Sequence, residues 1–372
     1  MKPRLLFVSP RFLFPHDQGG KIRTASILAR MKGGAFEVTL VSPGPGPGFA
    51  NHDAEIASIC DHFESWPALV PTLLGRLAAL PGAWPIPVAT DRSTKGAAIV
   101  ARALAGQPDV VVVDFPHAAV LLPATINPVS VIFTHNVEVE IFERHADIAK
   151  IPMRWLWRDQ ARKMRRFDAV IAVSARDGER MRELYRLPAT ELIDTGVDLD
   201  FYPYTPPTSR TDPVLVFSGA MDSRSNIDGV EFLIDEIWPR IAAARPGARA
   251  VIVGRNPPPG LVARAKEFGA AFRFTGFVDD VRPEIEAATV SAIPLRVGSG
   301  TRIKAFEAMA LGRPVVSTSL GIEGLDITPS EHFLLANTAE EFARQTLRLF
   351  DDPALVTAHL PPEILRRISC LC

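Results

Sequence analysis

Three cysteines, at positions 60, 370 and 372, are too few for a disulfide framework and show no zinc-binding spacing, and the terminal CLC lacks the form of a prenylation signal. They read as cytosolic thiols. Neither sign of charge is in excess: 41 Lys and Arg stand against 42 Asp and Glu, for a formal net charge of −1, so the basic footprint of a nucleic-acid-binding protein is missing. No uninterrupted apolar run has the length of a membrane span, because the most apolar stretch, residues 66–89, is broken by prolines and glycines. The opening MKPRLLFVSP enters a strand-like run without the longer apolar segment and small-residue cleavage site of a signal peptide. A cytoplasmic protein is expected.

What the chain does have is apolar residues at 47% against 22% charged, spread over 372 residues, which suits two domains of common size. Short β-branched runs alternate with helical patterns: LLFVSP, VTLVS, DVVVVD, VSVIFTH and DAVIAVS, then VLVFSG, RAVIVG, FRFTGF, VSAIPL and PVVSTS. That alternation predicts parallel sheets covered by helices, and the continuously apolar runs predict strands buried on both faces. The pattern breaks at the Pro-, Ser- and Thr-rich stretch around 200–213. An N-terminal domain over 1–203, a linker over 204–212, a C-terminal domain over 213–360 and a tail over 361–372 are therefore expected. Each half opens with a strand, a glycine-containing loop and an amphipathic helix, an α/β plan used twice, and such sheets bind ligands beyond the carboxyl ends of their strands.

The segment GSGTRIKAFEAMALGRPVVST, residues 298–318, is where chemistry is most legible. After the strand VSAIPL, Gly298, Ser299 and Gly300 let backbone N–H groups converge, and a helix is predicted from about Thr301 with unsatisfied donors pointing outward. Cations in a first turn lose about 0.3–1 kcal/mol each against the helix dipole, so Arg302 and Lys304 there favour an anion such as a diphosphate. Glu307 shares a helical face with Lys304, and its carboxylate can accept both hydrogen bonds of a ribose 2′,3′-diol. A simple i,i+3 ion pair between the two is the structural alternative. Gly312 and Pro314 end the helix.

These residues resemble the nucleotide-sugar site of GT-B glycosyltransferases of family four, which transfer sugars with retention of configuration. The resemblance runs through PRFLFPHDQGGKIRTASIL, FTHNVE, FDAVIAVSARDGERM, DTGVDLDFY, VLVFSGAMDSRSNIDGVEFL, RAVIVG, FTGFVDDVRPEIEAATVSAIPL and the 298–318 segment, and KIR and HNVE resemble the members that build bacterial exopolysaccharides. It implies a GT-B fold, two Rossmann-like doubly wound parallel-sheet domains facing a cleft, with no cofactor and with UDP or GDP in the donor. It further implies that Ser299, Gly300, Thr301 and Lys304 hold the donor diphosphate, that Glu307 holds the ribose, that Gly19 and Gly20 let the backbone approach the donor, and that His135 faces the transferred sugar. Asp17, Arg23 and Asn136 fall on the acceptor side. The implied partners are a nucleotide-sugar donor and a glycan or lipid-linked acceptor.

The chain departs from the family pattern in three places. Ser299 stands where the Glu-x7-Glu motif has its first Glu, the diphosphate-binding Arg and Lys after the second domain's first strand are displaced with Arg224 as a substitute, and the chain ends at PPEILRRISCLC instead of a helix returning to the first domain. The apolar 66–89 stretch suits a lipid-linked acceptor, and Trp155 and Trp157 beside several arginines suit an anionic surface at the inner face of the membrane. A packed helix and an ordinary charged surface helix are the competing readings. Asp198 and Asp200 have D-x-D form but lie in the segment before the linker, and no metal is assigned to them. A nicotinamide-dependent oxidoreductase lacks its G-x-G-x-x-G here; a GT-B nucleotide-sugar epimerase and a non-catalytic nucleotide-sugar-binding relative stay open.

Overall fold

The computed structural model describes residues 2–15, 19–45, 52–68, 93–140, 161–207, 212–298, 302–358 and 365. It divides between Ile193 and Asp194 into two compact units. The first unit holds β1 (Arg4–Val8), β2 (Glu37–Pro43), β3 (His62–Trp66), β4 (Val110–Asp114), β5 (Val129–Phe133), β6 (Ala169–Ala172) and β7 (Glu191–Leu192), with α1 (Gly19–Gly33), α2 (Asp53–Ile59), α3 (Thr94–Ala105) and α4 (Ala175–Tyr185) among its helices. Its strands pair in parallel in the order β3-β2-β1-β4-β5-β6-β7.

The run LLFV explains why helices cover both faces. Leu6 and Val8 enter one core with Val111, Val113 and Val100 of α3, whereas Leu5 and Phe7 enter another with Leu40 and Ala25 and Leu28 of α1. Successive side chains of one strand thus feed two apolar layers, each helix-capped. β3 and β7 were not legible as strands because both sit at sheet edges, where HFESW and EL are largely solvent-facing.

The second unit holds β8 (Val214–Ser218), β9 (Arg249–Val253), β10 (Phe272–Gly276), β11 (Val290–Ile293), β12 (Val315–Ser317) and β13 (Leu334–Leu335). They pair in parallel in the order β10-β9-β8-β11-β12-β13. Around them pack α5 (Arg224–Phe232), which runs through a π turn into α6 (Trp238–Ala244), then α7 (Pro259–Ala265), α8 (Arg282–Glu286), α9 (Ile303–Ala310), α10 (Ala339–Asp351) and α11 (Pro353–Ala358). Strand order reverses between β1 and β4 in the first sheet and between β8 and β11 in the second. Those two points are where doubly wound sheets open a crevice for ligands.

The division falls ten residues ahead of the linker read from the sequence at 204–212. Val197 and Tyr202 are buried in the second unit's core, so the approach to the proline-rich stretch already belongs to that unit. Most of the apolar 66–89 stretch, together with Trp155, Trp157, Cys370 and Cys372, lies outside the described residues. Trp66 is a core residue, its ring against Gly96 of α3. Of the cations that suited a membrane surface, Arg165 donates to the Tyr185 carbonyl at 2.9 and 2.6 Å and Arg166 to the carbonyls of Pro123 and Ala124. Among the described residues no helix is long and apolar enough to cross a membrane.

Candidate functional site

In the second unit, the loop after β8 and the starts of α5 and α9 meet at the reversal between β8 and β11. Lys304 on α9 donates to Asn226 Oδ1 on α5 at 2.9 Å, and its ammonium lies 4.3 Å from the Phe217 ring centroid. Asn226 Nδ2 donates in turn to the Ala220 carbonyl at 2.8 Å. Gly219 has no side chain because there is no room for one: an added Cβ would lie 2.7 Å from Asn226 Nδ2 and 2.8 Å from Lys304 Nζ. Gly298, at φ +106°, is pressed equally close, with an added Cβ 2.2 Å from Ser225 Oγ. Burial pulls the Lys304 ammonium down to about 7, helped by the charge of Arg302.

One turn further on, Glu307 accepts from Tyr202 Oη at 2.9 Å. Burial raises its carboxyl above the ordinary glutamate range, against the lowering effects of the Tyr202 hydrogen bond and the Lys304 charge. Lys304 and Glu307 therefore have separate partners and do not form the simple i,i+3 pair. This leaves a cation and a carboxyl on one helical face, with room in their chemistry for a phosphate and a diol.

Two expectations change here. α9 begins at Ile303, so Arg302 is its N-cap residue and not a first-turn cation; its Nε donates to the Leu320 carbonyl at 3.3 Å. Arg224 is exposed on α5 and lies 4.0 Å from Glu231, turned along its own helix and not joined to Lys304. Asn226, two positions on, is the α5 residue that meets Lys304, and an amide makes a weaker sequence signal than a cation. Ser299, Gly300 and Thr301 lie outside the described residues. Gly312, at φ +77°, ends α9 against the Thr205 carbonyl, which an added Cβ would meet at 2.3 Å. Asp198 Oδ1 accepts from the backbone N–H groups of Asp200 at 2.9 Å and Phe201 at 3.3 Å, the work of a turn.

In the first unit the corresponding crevice gathers His135, Gly20 and a carboxylate that sequence reasoning missed. His135 follows β5 and is buried, with its Nε2 2.6 Å from Asp114 Oδ1 at the end of β4. Thr24 Oγ1 on α1 donates to the other carboxylate oxygen at 3.1 Å. Phe115 stacks on His135 with centroids 4.2 Å apart and Phe133 meets it edge-on at 4.8 Å. Gly20, in the first turn of α1, sits where an added Cβ would lie 3.3 Å from Phe115 Cζ and 3.9 Å from His135 Nδ1. The available signal for Asp114 was its place as the last residue of DVVVVD, the strand that borders the reversal.

Gly19 opens α1. Arg23 is buried, donates to the Ile193 carbonyl and lies 5.2 Å from the Phe133 ring centroid, which makes it a part of the wall and not a solvated charge. Asn136 is half-buried beside His135, and Asp17 lies outside the described residues. His117, near Arg11 and Lys163, is pushed down to about 3, chiefly by burial, so it is neutral at physiological pH.

The fold is similar to that of sucrose-phosphate synthase from Thermosynechococcus elongatus, at TM-score 0.75 and 17% identity over 99% of this chain and 95% of that one. Anabaena HepE, solved with UDP and glucose, matches at TM-score 0.71 and 16% identity over 99% and 96%. WaaG, a glycosyltransferase involved in lipopolysaccharide biosynthesis, matches at TM-score 0.63 and 17% identity over 96% and 93%. No curated protein sequence matches the chain. Residues 19–201 match the family described as Glycosyltransferase Family 4, and residues 212–352 match Glycosyl transferases group 1. Two parallel-sheet domains, with both family matches falling in order along them, make this chain a member of the group 1 glycosyltransferases with the GT-B fold.

Proposed function

We propose that the protein transfers a hexosyl group from a nucleoside diphosphate sugar to a hydroxyl of a glycan or lipid-linked acceptor, with retention of configuration, in surface polysaccharide biosynthesis. The observation that carries the reading is the face of α9, where Lys304 and Glu307 stand one turn apart with Asn226 and Tyr202 as their separate partners. A diphosphate beside Lys304 gains charge and hydrogen bonds from the ammonium and from the first-turn N–H groups of α5 and α9. The Glu307 oxygen not engaged by Tyr202 then takes a ribose hydroxyl. Support for a nucleotide-sugar donor also comes from HepE, which has been solved with UDP-glucose, and support for the polysaccharide setting from WaaG.

Catalysis on this reading comes from positioning and from stabilising the charge that gathers on the leaving diphosphate as an oxocarbenium-like sugar departs. Lys304 supplies that stabilisation, and His135 takes a hydroxyl of the transferred sugar. No side-chain nucleophile is assigned. The chemistry calls for no cofactor, and attachment to an anionic membrane surface is part of the proposal; failure to float with anionic vesicles would remove that part.

The test is thermal stability of the wild type and Glu307→Ala against UDP, GDP, ADP, their sugars and NAD(H). A ligand at 100 times its dissociation constant stabilises the fold by about 2.7 kcal/mol. Stabilisation by one base's diphosphate, lost in the variant, supports the reading and selects the donor. Stabilisation by NAD(H) alone, or by nothing, overturns it.

A further inference from the structure

Asp114, 1% exposed, is more completely buried than the histidine it contacts, and it binds nothing that the proposed reaction requires of it directly. Its carboxylate is nonetheless built into three elements. Oδ1 meets His135 Nε2 at 2.6 Å, Oδ2 accepts from Thr24 Oγ1 at 3.1 Å, and Ser9 Oγ, just after β1, is 3.4 Å from Oδ2. The next residue, Phe115, holds φ +67° and ψ 140°, a region that side-chain-bearing residues rarely adopt, and its ring lies on the imidazole. The ring of His135 is thus fixed on one face, on one edge and at one nitrogen.

The other nitrogen is treated differently. Nδ1 lies toward Gly20, and no described residue hydrogen-bonds it. A carboxylate only accepts, so a 2.6 Å contact with Asp114 puts the hydrogen on Nε2, and in a neutral imidazole the opposite nitrogen then carries a lone pair. A group that presents a lone pair accepts a hydroxyl hydrogen and repels a phosphate oxygen.

We propose that Asp114 is a positioning residue that fixes the hydrogen of His135 on Nε2, so that Nδ1 is a hydrogen-bond acceptor for a carbohydrate hydroxyl. The identity of that ligand rests on the glycosyltransferase reading; the tautomer does not. The hydroxyl belongs to the donor's sugar or to a neutral sugar of the acceptor, and binding separates the two.

The first measurement is the two-bond nitrogen–proton correlation spectrum of the wild type, with the His135 signal assigned by its loss in His135→Gln. The expected pattern is a protonated Nε2 and a bare Nδ1 at neutral pH. A protonated Nδ1 overturns the proposal, and this result needs no folded Asp114 variant. In Asp114→Asn the amide can donate to Nε2, so the proton should move to Nδ1 with the fold retained.

The second measurement compares UDP with UDP-glucose, and GDP with GDP-mannose, by calorimetry, alongside methyl α-glucoside and methyl α-mannoside. A tenfold or greater loss of the nucleotide sugar's advantage over the nucleotide in Asp114→Asn, with nucleotide affinity unchanged, assigns the hydroxyl to the donor. Loss of glycoside binding alone assigns it to the acceptor. A tautomer reversal that moves neither affinity overturns the recognition role. If no nucleotide binds the wild type, the glycosyltransferase reading fails while the nitrogen spectrum still decides the tautomer.

Discussion

Tyr202 and Glu307, 105 residues apart in the chain, share a 2.9 Å hydrogen bond in which the phenol donates to the carboxylate. Burial and the Glu307 charge both raise the phenol, so it stays a donor throughout the physiological range. This ties the segment that precedes the proline-rich stretch to the helix carrying Lys304, and it leaves one Glu307 oxygen for a ligand.

Tyr202→Phe is expected to cost stability in a pH-dependent way. The raised Glu307 carboxyl keeps its proton in the folded protein at pH values where the unfolded chain has lost it. Stability from that source is complete below the ordinary glutamate range and is lost as pH rises through the folded value. Removing the Tyr202 hydrogen bond raises Glu307 further, so the deficit should be small in acid and grow toward neutrality, to about 1–2 kcal/mol. Urea denaturation of both proteins at several pH values checks this; a deficit independent of pH contradicts it.

Lys304 has the opposite sign. Its ammonium is lowered to about 7, chiefly by burial, so above that pH the unfolded chain holds a proton that the folded protein lacks. Stability should rise with pH between about 7 and the ordinary lysine value of about 10.4. Lys304→Met, which keeps the stem's volume, should be more stable than wild type at neutral pH, with the gain fading in alkali. Diphosphate binding should behave in reverse, weakening up to about tenfold per pH unit above 7 in the wild type and already weak and flat in Lys304→Met. Calorimetry in buffers of different ionisation enthalpy would register the proton taken up by Lys304.

How much of this was legible in the sequence depended on whether a residue acts through its own type or through a neighbour. The central strands could be read because LLFVSP and VLVFSG are apolar at every position, the mark of burial on two faces, while β13 has only two residues and β3 is an edge. Lys304 and Glu307 could be read because their charges are out of place near the start of an apolar helix. Asn226, Asp114 and Tyr202 could not, since each matters through a long-range contact to one of the legible residues. Arg224 was singled out because a cation is the louder signal, yet the helical period turns it to the surface and Asn226 inward.

Gly20→Ala should act on recognition without disturbing the fold much. The added methyl carbon would lie 3.3 Å from Phe115 Cζ and 3.9 Å from His135 Nδ1, a tight but yielding contact with side chains. Ala also favours the helix over Gly by up to about 1 kcal/mol. The melting temperature should therefore stay near wild type, whereas binding that depends on Nδ1 falls severalfold as the methyl group shields it. Unchanged affinity for every sugar ligand in a normally folded variant would place the ligand elsewhere.

Gly254→Ala should fail in both respects, and the reason lies in the backbone. An added Cβ at Gly254, just after β9, would stand 2.0 Å from the Gly219 carbonyl oxygen and 2.8 Å from its carbon. No flexible side chain can yield there, so the loop after β8 must move, at a cost of about 1–3 kcal/mol or more. Gly219 is also the residue pressed against Asn226 and Lys304, so the shift passes straight to the phosphate-binding pair. Gly260→Ala is the matched control: it lies in the first turn of α7 with nothing within 4 Å of the added carbon, and it should stabilise by about 0.4–1 kcal/mol through the unfolded chain. Denaturation midpoints and nucleotide diphosphate affinities of the two variants, measured together, separate this contact from a general intolerance of alanine, because only Gly254→Ala should lose both.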